Sequence, residues 1–457
     1  MARSTASAGS ADAELVTAAV ARTAIRWPRA TRVCVALSGG SDSTVLLHAL
    51  AALHAQQPSG FSLAAHHVHH GLSSNADAWA KHCEQLCAAL GVPFTMSRVM
   101  IDTKSGNGIE ATARLARYGV LSEVSADVMA LAHHARDQAE TLLLQLLRGS
   151  GPAGLAAMPV EAARCARPLL DVPKKALQAY ANAHALTWVE DESNTDNRFS
   201  RNRLRNTVWP ALIAAFPAAE ATLARAAEHQ AQATLLLDDL AALDAANCVA
   251  GHALNLSPFN ALSDARRANL LRFWLRELGL ATPATDTLRE WLKQLASSAA
   301  IQAIELRGAA PNQAIRVYRG QAFLAQDAPH WDSCRWRGES QLTLKNSRVN
   351  AGDIRFLPST DVHALRSPHA DEVWALRHRR EGDAIKLTER SGHVALKNVF
   401  QQAQIPPWLR ATWPLLTCNE EIAAVASVAT AKAFNVAPGE TGWACEWKPE
   451  CSALAHS

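Results

Sequence analysis

The chain reads as an α/β protein in three parts: an N-terminal parallel-sheet, Rossmann-like domain over residues 1–210, a mostly helical domain over 211–328, and a small C-terminal α/β domain over 341–457. Three observations carry this reading. Val-rich apolar runs alternate with segments of helical periodicity as far as residue 184, the pattern of a parallel sheet covered on both faces. A glycine-containing turn, Ser38–Ser43, separates the first of those runs from the helix that follows it. Around Pro210 the alternation stops, and Ala211–Leu295 shows helical periodicity alone.

Each element has its own warrant. Ala13–Trp27 is periodic and ends at Pro28, which predicts a first helix. Val33–Leu37 is an apolar strand, and Thr44–Ala52 is a helix with Leu at helical spacing. Phe61–His70 reads as the second strand, ending at Gly71, and Trp79–Leu90 as a helix ending at Gly91. Pro93–Met100 is a short third strand, Asn107–Ser122 a helix, Val128–Ala132 a fourth strand and Asp137–Arg148 a helix closed by Gly149 and Gly151. Pro168–Leu170 ends a fifth strand in this reading, with Lys174–His184 helical behind it. Ile301–Ala325 alternates and suggests two or three strands, Pro329–Ser340 is a connection, and short mixed segments follow. In open parallel sheets ligands bind beyond the carboxyl ends of the strands. Ser38–Ser43, His66–His70 and His133–His134 all fall at such ends, so they are expected at one crevice.

Composition narrows the class. Of the 457 residues 49% are hydrophobic and 19% charged, which fits a folded chain rather than a disordered one. A formal charge of +3 is too small to argue for a polyanion partner, so any nucleic-acid surface must come from local clustering. The nine cysteines include no Cys-x-x-Cys pair, which gives zinc and dithiol redox sites no support and fits reduced thiols in a cytosol. No signal-like N-terminus and no membrane-length apolar run is found, so cytoplasmic residence without a membrane partner is expected.

The stretch around Ser38 carries the first chemistry. Gly39 and Gly40 let the backbone bend so that its N–H groups face an anion, and the helix that follows adds the positive end of its dipole. Ser38, Ser41 and Ser43 offer hydroxyls and Asp42 a carboxylate for a metal. No Gly-Lys-Ser/Thr follows, which excludes the Walker loop. The hexapeptide Ser38-Gly39-Gly40-Ser41-Asp42-Ser43 resembles the PP-loop of the ATP pyrophosphatases, which implies ATP and Mg²⁺ as cofactors, adenylation of a substrate and release of pyrophosphate.

A second stretch runs His133-His134-Ala135-Arg136-Asp137-Gln138-Ala139-Glu140-Thr141 and on to Arg148-Gly149-Ser150-Gly151. Asp137 and Glu140 are three apart and share a helix face, with two histidines just before them. Such a set can hold Mg²⁺ and manage protons, although a capped surface helix has the same composition. This stretch resembles the bacterial tRNA(Ile)-lysidine synthases, as does His69/His70-Gly71-Leu72 after the second strand. Arg136 departs from the family pattern, where an acidic residue is usual, and Ser73 stands where Arg is frequent.

The resemblance extends to three further segments. Glu110, Arg114 and Arg117 form one helical stripe, also readable as a solvated ion-pair face. Glu190-Asp191-Glu192-Ser193-Asn194 precedes Arg201-Asn202-Arg203-Leu204-Arg205-Asn206, a carboxylate cluster beside an arginine helix that suits a lysine site next to an RNA phosphate site. Trp374–Arg410 holds seven Lys/Arg against three acids, with Trp374, Phe400 and Trp408 interleaved, a composition that suits RNA backbone and end-stacking contacts. Its Arg377-x-Arg379-Arg380-x-Gly382-Asp383 run resembles the family's C-terminal tRNA-binding module, with Ala384 in place of the usual Arg.

The family resemblance implies an ATP-dependent C–N ligase. It adenylates the C2 oxygen of the wobble cytidine of a tRNA(Ile) with a CAU anticodon. The side-chain amine of free L-lysine then attacks C2 and AMP leaves. By the same resemblance Asp42, His133, Asp137 and Glu140 are the catalytic set and Ser38–Ser43 hold ATP. Asp42 with Asp137 binds Mg²⁺, and Glu140 or His133 accepts the proton of the lysine amine. Arg114, Arg117, Arg201 and Arg205 serve phosphates, Arg379 and Arg380 the tRNA, and a homodimer is compatible with the reading. The alternatives are a PP-loop tRNA thiolase, which usually carries paired cysteines, and a non-catalytic RNA-binding protein on the same fold.

Overall fold

The computed structural model describes residues 2–57, 60–71, 73–99, 109–297, 305–310, 313–326, 329–388 and 392–449; side chains 2–10, 109–115, 193–194, 305, 307–310, 313 and 326 are outside the description. The chain divides into two compact units, Met1–Leu236 and Leu237–Ser457.

The first unit begins with α1 (Ala2–Ala24), β1 (Thr31–Ala36), α2 (Ser41–Gln56), β2 (Phe61–His69), α3 (Ala76–Ala89), β3 (Phe94–Arg98), α4 (Ile109–Glu123), β4 (Val128–Ala130) and α5 (Ala135–Leu147). The single turn α6 (Pro152–Leu155), the two-residue strands β5 (Glu161–Ala162) and β6 (Cys165–Ala166), and α7 (Lys174–Ala183) follow. The sheet order is β3-β2-β1-β4-β6-β5. β1 is central, with Val33 paired in parallel to Leu63 on β2 and to Val128 on β4. Because strand side chains alternate, Val33, Val35 and Leu37 pack into one core with Val20 of α1, Leu46 and Leu50 of α2, Cys83 of α3 and Leu177 of α7. Cys34 packs on the opposite face with Val68, Leu121 of α4, Met129 and Leu131. Burial on both faces explains why these strands read as continuous apolar runs.

Two expectations are corrected here. Pro168–Leu170 is a turn in which Leu170 N–H donates to the Arg167 carbonyl; the strand is Cys165–Ala166 just before it. The sheet is also not parallel throughout: β5 pairs antiparallel with β6 through a tight turn at Ala163, which has a positive φ of 47°. Strands this short carry no periodicity, so neither feature shows in the pattern.

The first unit continues through α8 (Ser200–Arg203), a π-helical turn (Leu204–Val208), α9 (Trp209–Ala215) and into the long α10 (Ala219–Cys248). The second unit holds β7 (Val249–Ala250), β8 (Ala253–Asn255), α11 (Leu256–Ala261), α12 (Asp264–Glu277), α13 (Thr285–Ser297), β9 (Glu305–Ala310), β10 (Gln313–Tyr318) and β11 (Gln321–Gln326). Leu270, Leu271 and Trp274 of α12 and Trp291 of α13 form one core with Phe259 and Ile315. β12 (Cys334–Trp336), β13 (Gln341–Lys345), β14 (Asn350–Ser359), β15 (Trp374–Arg377), β16 (Ala384–Ile385), β17 (Val394–Ala395), α14 (Leu396–Gln402), β18 (Leu415–Cys418), β19 (Glu421–Val425), β20 (Ala429–Thr430) and β21 (Gly442–Pro449) complete the chain. These strands pair antiparallel in sheets β12-β15-β18-β19-β20 and β13-β14-β21 and in the two-stranded β16-β17.

The aromatic residues of this last region are structural. Trp374 and Phe400 are buried in its core with Trp331, Trp336 and Trp413. Trp408 lies 6.2 Å from the Tyr318 ring and 6.4 Å from Phe323, with the Arg316 guanidinium over its face. The expected end-stacking role of Trp374, Phe400 and Trp408 is therefore not supported: apolar burial already engages their faces.

Candidate active site

β1 leads directly into the Ser38–Ser43 loop. Leu37 N–H still donates to the His66 carbonyl, one residue past the last strand residue (2.9 Å). Gly39 then takes a positive φ of 86° and is so closely packed that a Cβ would lie 2.9 Å from Cγ2 of Val189, in the segment after α7, and 3.1 Å from Sγ of Cys83 on α3. No side chain is compatible with both constraints. Gly40 precedes the first residue of α2, whose opening N–H groups have no intrahelical acceptor. Ser43 Oγ donates to the Gly40 carbonyl (3.0 Å) and accepts from Ser38 N–H (3.3 Å), tying the loop to the first helical turn. The result is a concave ring of N–H and O–H groups at a helix N-terminus, an anion cradle.

The cradle opens on a cleft of about 1040 Å³ lined by Ser38, Gly40, Ser41, Asp42 and Ser43 together with His66–His70, His133 and Asp137. Parallel pairing of β1, β2 and β4 is what delivers these segments to one end of the sheet.

A chain of charges runs across the floor. Lys174 Nζ donates to Asp42 Oδ1 and to Ser41 Oγ (3.2 Å). His134 Nε2 lies 3.4 Å from Asp42 Oδ2 and 3.5 Å from Asp137 Oδ2. Asp137 Oδ2 also accepts the His134 backbone N–H (3.1 Å), which caps α5. Asp137 Oδ1 accepts from Arg201 Nη2 (2.8 Å) and Arg205 Nη2 (2.6 Å). Glu140, with no exposed surface, accepts from Arg201 Nε (3.1 Å) and from Arg205 Nε through both oxygens (2.7 and 2.8 Å). Burial pushes the Asp42 carboxyl up, but the hydrogen bond and charge of His134 and the charge of Lys174 outweigh it and hold it well below the usual carboxylate range. Asp137 is lowered in the same way: burial opposes ionisation, and His134, Arg201, Arg205 and His133 overcome it.

Most of the sequence-derived site residues meet here. Ser38, Gly40, Ser41, Asp42, Ser43, Arg117, His133, Asp137 and Arg205 line the cleft. Gly39 backs the loop against α3 rather than facing the cleft. Glu140 and Arg201 lie just beneath Asp137. Arg114 stands on α4, but its side chain lies outside the described residues, as does that of Glu110. Arg379 and Arg380 belong to the other unit; Arg380 pairs with Glu420 at 2.8 Å. The acidic segment Glu190–Glu192 reaches the rim, where Glu192 accepts from Ser73 Oγ (3.3 Å) and Asn75. Arg136 finds its own partners, Glu220 at 3.4 Å and the Trp209 ring at 5.3 Å, so its charge is turned away from the cleft.

Sequence reading missed Lys174 and gave His134 no separate role. A signal for Lys174 existed: a lysine directly after Pro173 at a helix N-terminus opposes the helix dipole, and an acidic partner in the fold offsets that conflict.

Comparison with known proteins agrees with this geometry. Residues 14–212 match the family model described as a PP-loop domain, 254–323 that of a TilS substrate binding domain and 375–447 that of a TilS substrate C-terminal domain. The tRNA(Ile)-lysidine synthase of Alkalilimnicola ehrlichii is 42% identical over 90% of this chain and 92% of its own length. That of Aromatoleum aromaticum is 42% identical over 95% of this chain and all of its own length (100%), and that of Azoarcus sp. is 40% identical over 93% of each chain. An anion cradle, a charged floor beneath it and near full-length likeness to these relatives lead to one conclusion: the chain belongs to the tRNA(Ile)-lysidine synthases, ligases built on an ATP-binding PP-loop domain.

Proposed function

We propose that this cleft activates the wobble cytidine of tRNA(Ile) with ATP and joins free L-lysine to its C2 carbon. The observation that carries the reading is the unbroken contact chain Lys174–Asp42–His134–Asp137, which joins the glycine loop to the His-His-x-x-Asp helix. Adenylation expels pyrophosphate, so charge building on the leaving phosphates needs fixed donors. The Ser38–Ser43 loop and the α2 N-terminus supply them, and Lys174 adds a cation at the same place. Arg114, Arg117, Arg201 and Arg205 are assigned to phosphates; Arg117 and Arg205 line the cleft and are the better placed.

Among the described residues no group of three or more His, Cys, Asp or Glu forms a complete metal cage. Mg²⁺ at nucleotide sites takes one or two carboxylates and completes its shell with water and phosphate. Asp42 and Asp137 are the two carboxylates beside the loop that would hold it, in exchange for contacts their oxygens now make with Lys174, His134, Arg201 and Arg205. When bound there, Mg²⁺ supplies neutralising charge to the phosphates.

The attacking lysine amine must be neutral. Both Glu140 oxygens are occupied by guanidinium N–H groups, which favours His133 as the proton acceptor and gives Glu140 the role of holding Arg201 and Arg205. The acidic rim Glu190–Glu192 suits the ammonium groups of lysine. Residues 1–210 form the catalytic domain in this reading, with 211–328 and 341–457 gripping the tRNA and Arg379 and Arg380 on its backbone. No single helix among the described residues is long and apolar enough to cross a membrane, and the reading places the enzyme with its tRNA in the cytosol.

The test is release of labelled pyrophosphate from ATP. Multiple turnovers are expected only with tRNA(Ile) and lysine together, and at most one equivalent with tRNA alone. Turnover without lysine would overturn the reading, and turnover that requires a sulfur donor would favour a thiolase.

A further inference from the structure

His66 is a buried histidine that none of the roles above uses. It is 5% exposed and lies on β2, whose even-numbered residues Ala64 and Val68 face α4. The cleft extends to this face, where His66 is joined by Ala36, Val68, Tyr118, Leu121 and Leu131. Apart from His66 these are apolar or aromatic walls, suited to a flat ring rather than to phosphate.

The hydrogen-bond network around His66 favours one tautomer. Its Nδ1 lies 2.8 Å from Thr95 Oγ1, and the Thr95 hydroxyl donates to the Ala65 carbonyl (3.4 Å). A hydroxyl has one proton, and both contacts are made at once only when Oγ1 gives its proton to the Ala65 carbonyl and accepts from Nδ1–H, the tautomer we assign to His66. Nε2 is then a bare acceptor. It is buried and has no hydrogen-bond partner among the described residues. A buried acceptor without a donor is costly, and in a ligand cleft it marks where a donor arrives. Burial, with a smaller contribution from the charge of neighbouring His67, lowers the His66 pKa, so the ring stays neutral and keeps that acceptor.

Position decides which donor. His66 pairs in register with Ala36, two residues before Ser38 of the phosphate loop. It is thus about 7 Å back along the strand and one strand spacing of about 4.8 Å sideways from the cradle. That separation suits the base of a nucleotide whose phosphates occupy the loop. We infer that His66 Nε2 accepts a hydrogen bond from the exocyclic amine of the nucleobase seated against α4, the 6-amino group of adenine, and so selects ATP over nucleotides lacking it. The inference rests on the reading of the loop as the triphosphate site; the 4-amino group of the substrate cytidine is the other chemically equivalent source.

The test uses the full-length enzyme with tRNA(Ile), lysine and either ATP or purine riboside triphosphate, which lacks only the 6-amino group. One lost hydrogen bond to a buried acceptor is expected to raise the wild-type KM for the analogue roughly tenfold over ATP. His66→Leu should raise the KM for ATP by about the same factor, leave the analogue nearly unchanged and abolish the difference. His66→Gln, whose amide oxygen is an acceptor, should restore part of it. Equal KM values for the two nucleotides in the wild type would overturn the inference without any variant. So would a His66→Leu enzyme that keeps the wild-type ratio. A change confined to the KM for tRNA would assign the acceptor to cytidine and overturn the adenine assignment. A wild type that releases no pyrophosphate with tRNA and lysine would instead overturn the activity itself.

Discussion

At the scale of single residues, the two carboxylates Asp42 and Asp137 carry the site, and both are held ionised by the cations around them. Asp42→Asn and Asp137→Asn are expected to abolish lysine-dependent pyrophosphate release while the filter-binding Kd for tRNA stays within about twofold, because phosphate contacts elsewhere dominate RNA affinity. Lys174→Met should raise the KM for ATP about tenfold or more, since a partly buried cation beside the proposed phosphate site is lost. It also has a pH signature. Asp42 titrates below its ordinary value in the folded protein, so the stability it contributes is full above about pH 4 and is lost as pH falls through the depressed folded value. Removing Lys174 raises that folded value, so the stability lost between about pH 5 and pH 1 in urea unfolding should be smaller in the variant and should level off at a higher pH; a loss of the same size over the same range would count against the ion pair. Asp42 and Asp137 were legible in the sequence because each sits in a short motif whose spacing is local. Lys174 was not, because it meets Asp42 across 132 positions and only the sheet brings them together.

At the scale of elements, the floor of the site is a junction between α5 and the α8 segment. Sequence spacing placed Arg201 and Arg205 on one helical face and Asp137 and Glu140 on another, and it gave no means of matching the two faces. The chain between the arginines passes from α8 into a π-helical turn at Leu204–Val208, a feature with no pattern of its own. Both arginines nevertheless reach both carboxylates. The parallel strands of the sheet were legible because burial on two faces leaves a strong apolar signature. The β5–β6 hairpin left none, since two residues cannot show alternation. The junction makes an energetic claim. Arg205→Met leaves Glu140 buried with one cation instead of two; because Arg201 stays and Arg205 is partly exposed, the loss should be about 2 kcal/mol, less than the roughly 3 kcal/mol of a fully buried pair broken outright. Glu140→Gln combined with Arg205→Met removes both charges of that pair and should cost clearly less than the sum of the single changes. Urea unfolding of the four proteins gives the coupling. Additive losses would show that Glu140 and Arg205 do not act as a unit.

At the scale of the whole molecule, a chain with a net charge of only +3 must bind a large polyanion through a few well-placed cations. Composition located the basic stretch from Trp374 to Arg410, but not which of its cations are free for RNA, because intramolecular pairing depends on the fold. Arg377 is buried and held by Asp383 at 2.8 Å. Arg410 donates to the Ile405 carbonyl (2.7 Å) and lies over the Tyr318 ring. These two are structural. Arg380, Lys386 and Lys397 are exposed and Arg379 is half-buried, so the RNA contacts proposed for this stretch are assigned to these four among its described residues; Arg390 lies outside them. Arg379→Ala combined with Arg380→Ala should weaken tRNA binding at every salt concentration while leaving the KM for ATP unchanged. The more telling quantity is the salt slope. Each phosphate contact contributes roughly 0.7–0.9 to the slope of log K against log salt, so losing two should flatten it by about 1.5. Arg380 first has to leave Glu420, an exposed pair of small energy, which lowers the affinity gained from its phosphate contact but not the counterions it releases. Arg377→Ala is the counter-case: it should lower the thermal stability of this region, because it removes a buried side chain and leaves the half-buried Asp383 with only the Arg380 backbone N–H among the described residues. A double variant with the wild-type slope would remove Arg379 and Arg380 from the RNA interface, and the exposed lysines Lys386 and Lys397 would then be the contacts to substitute next.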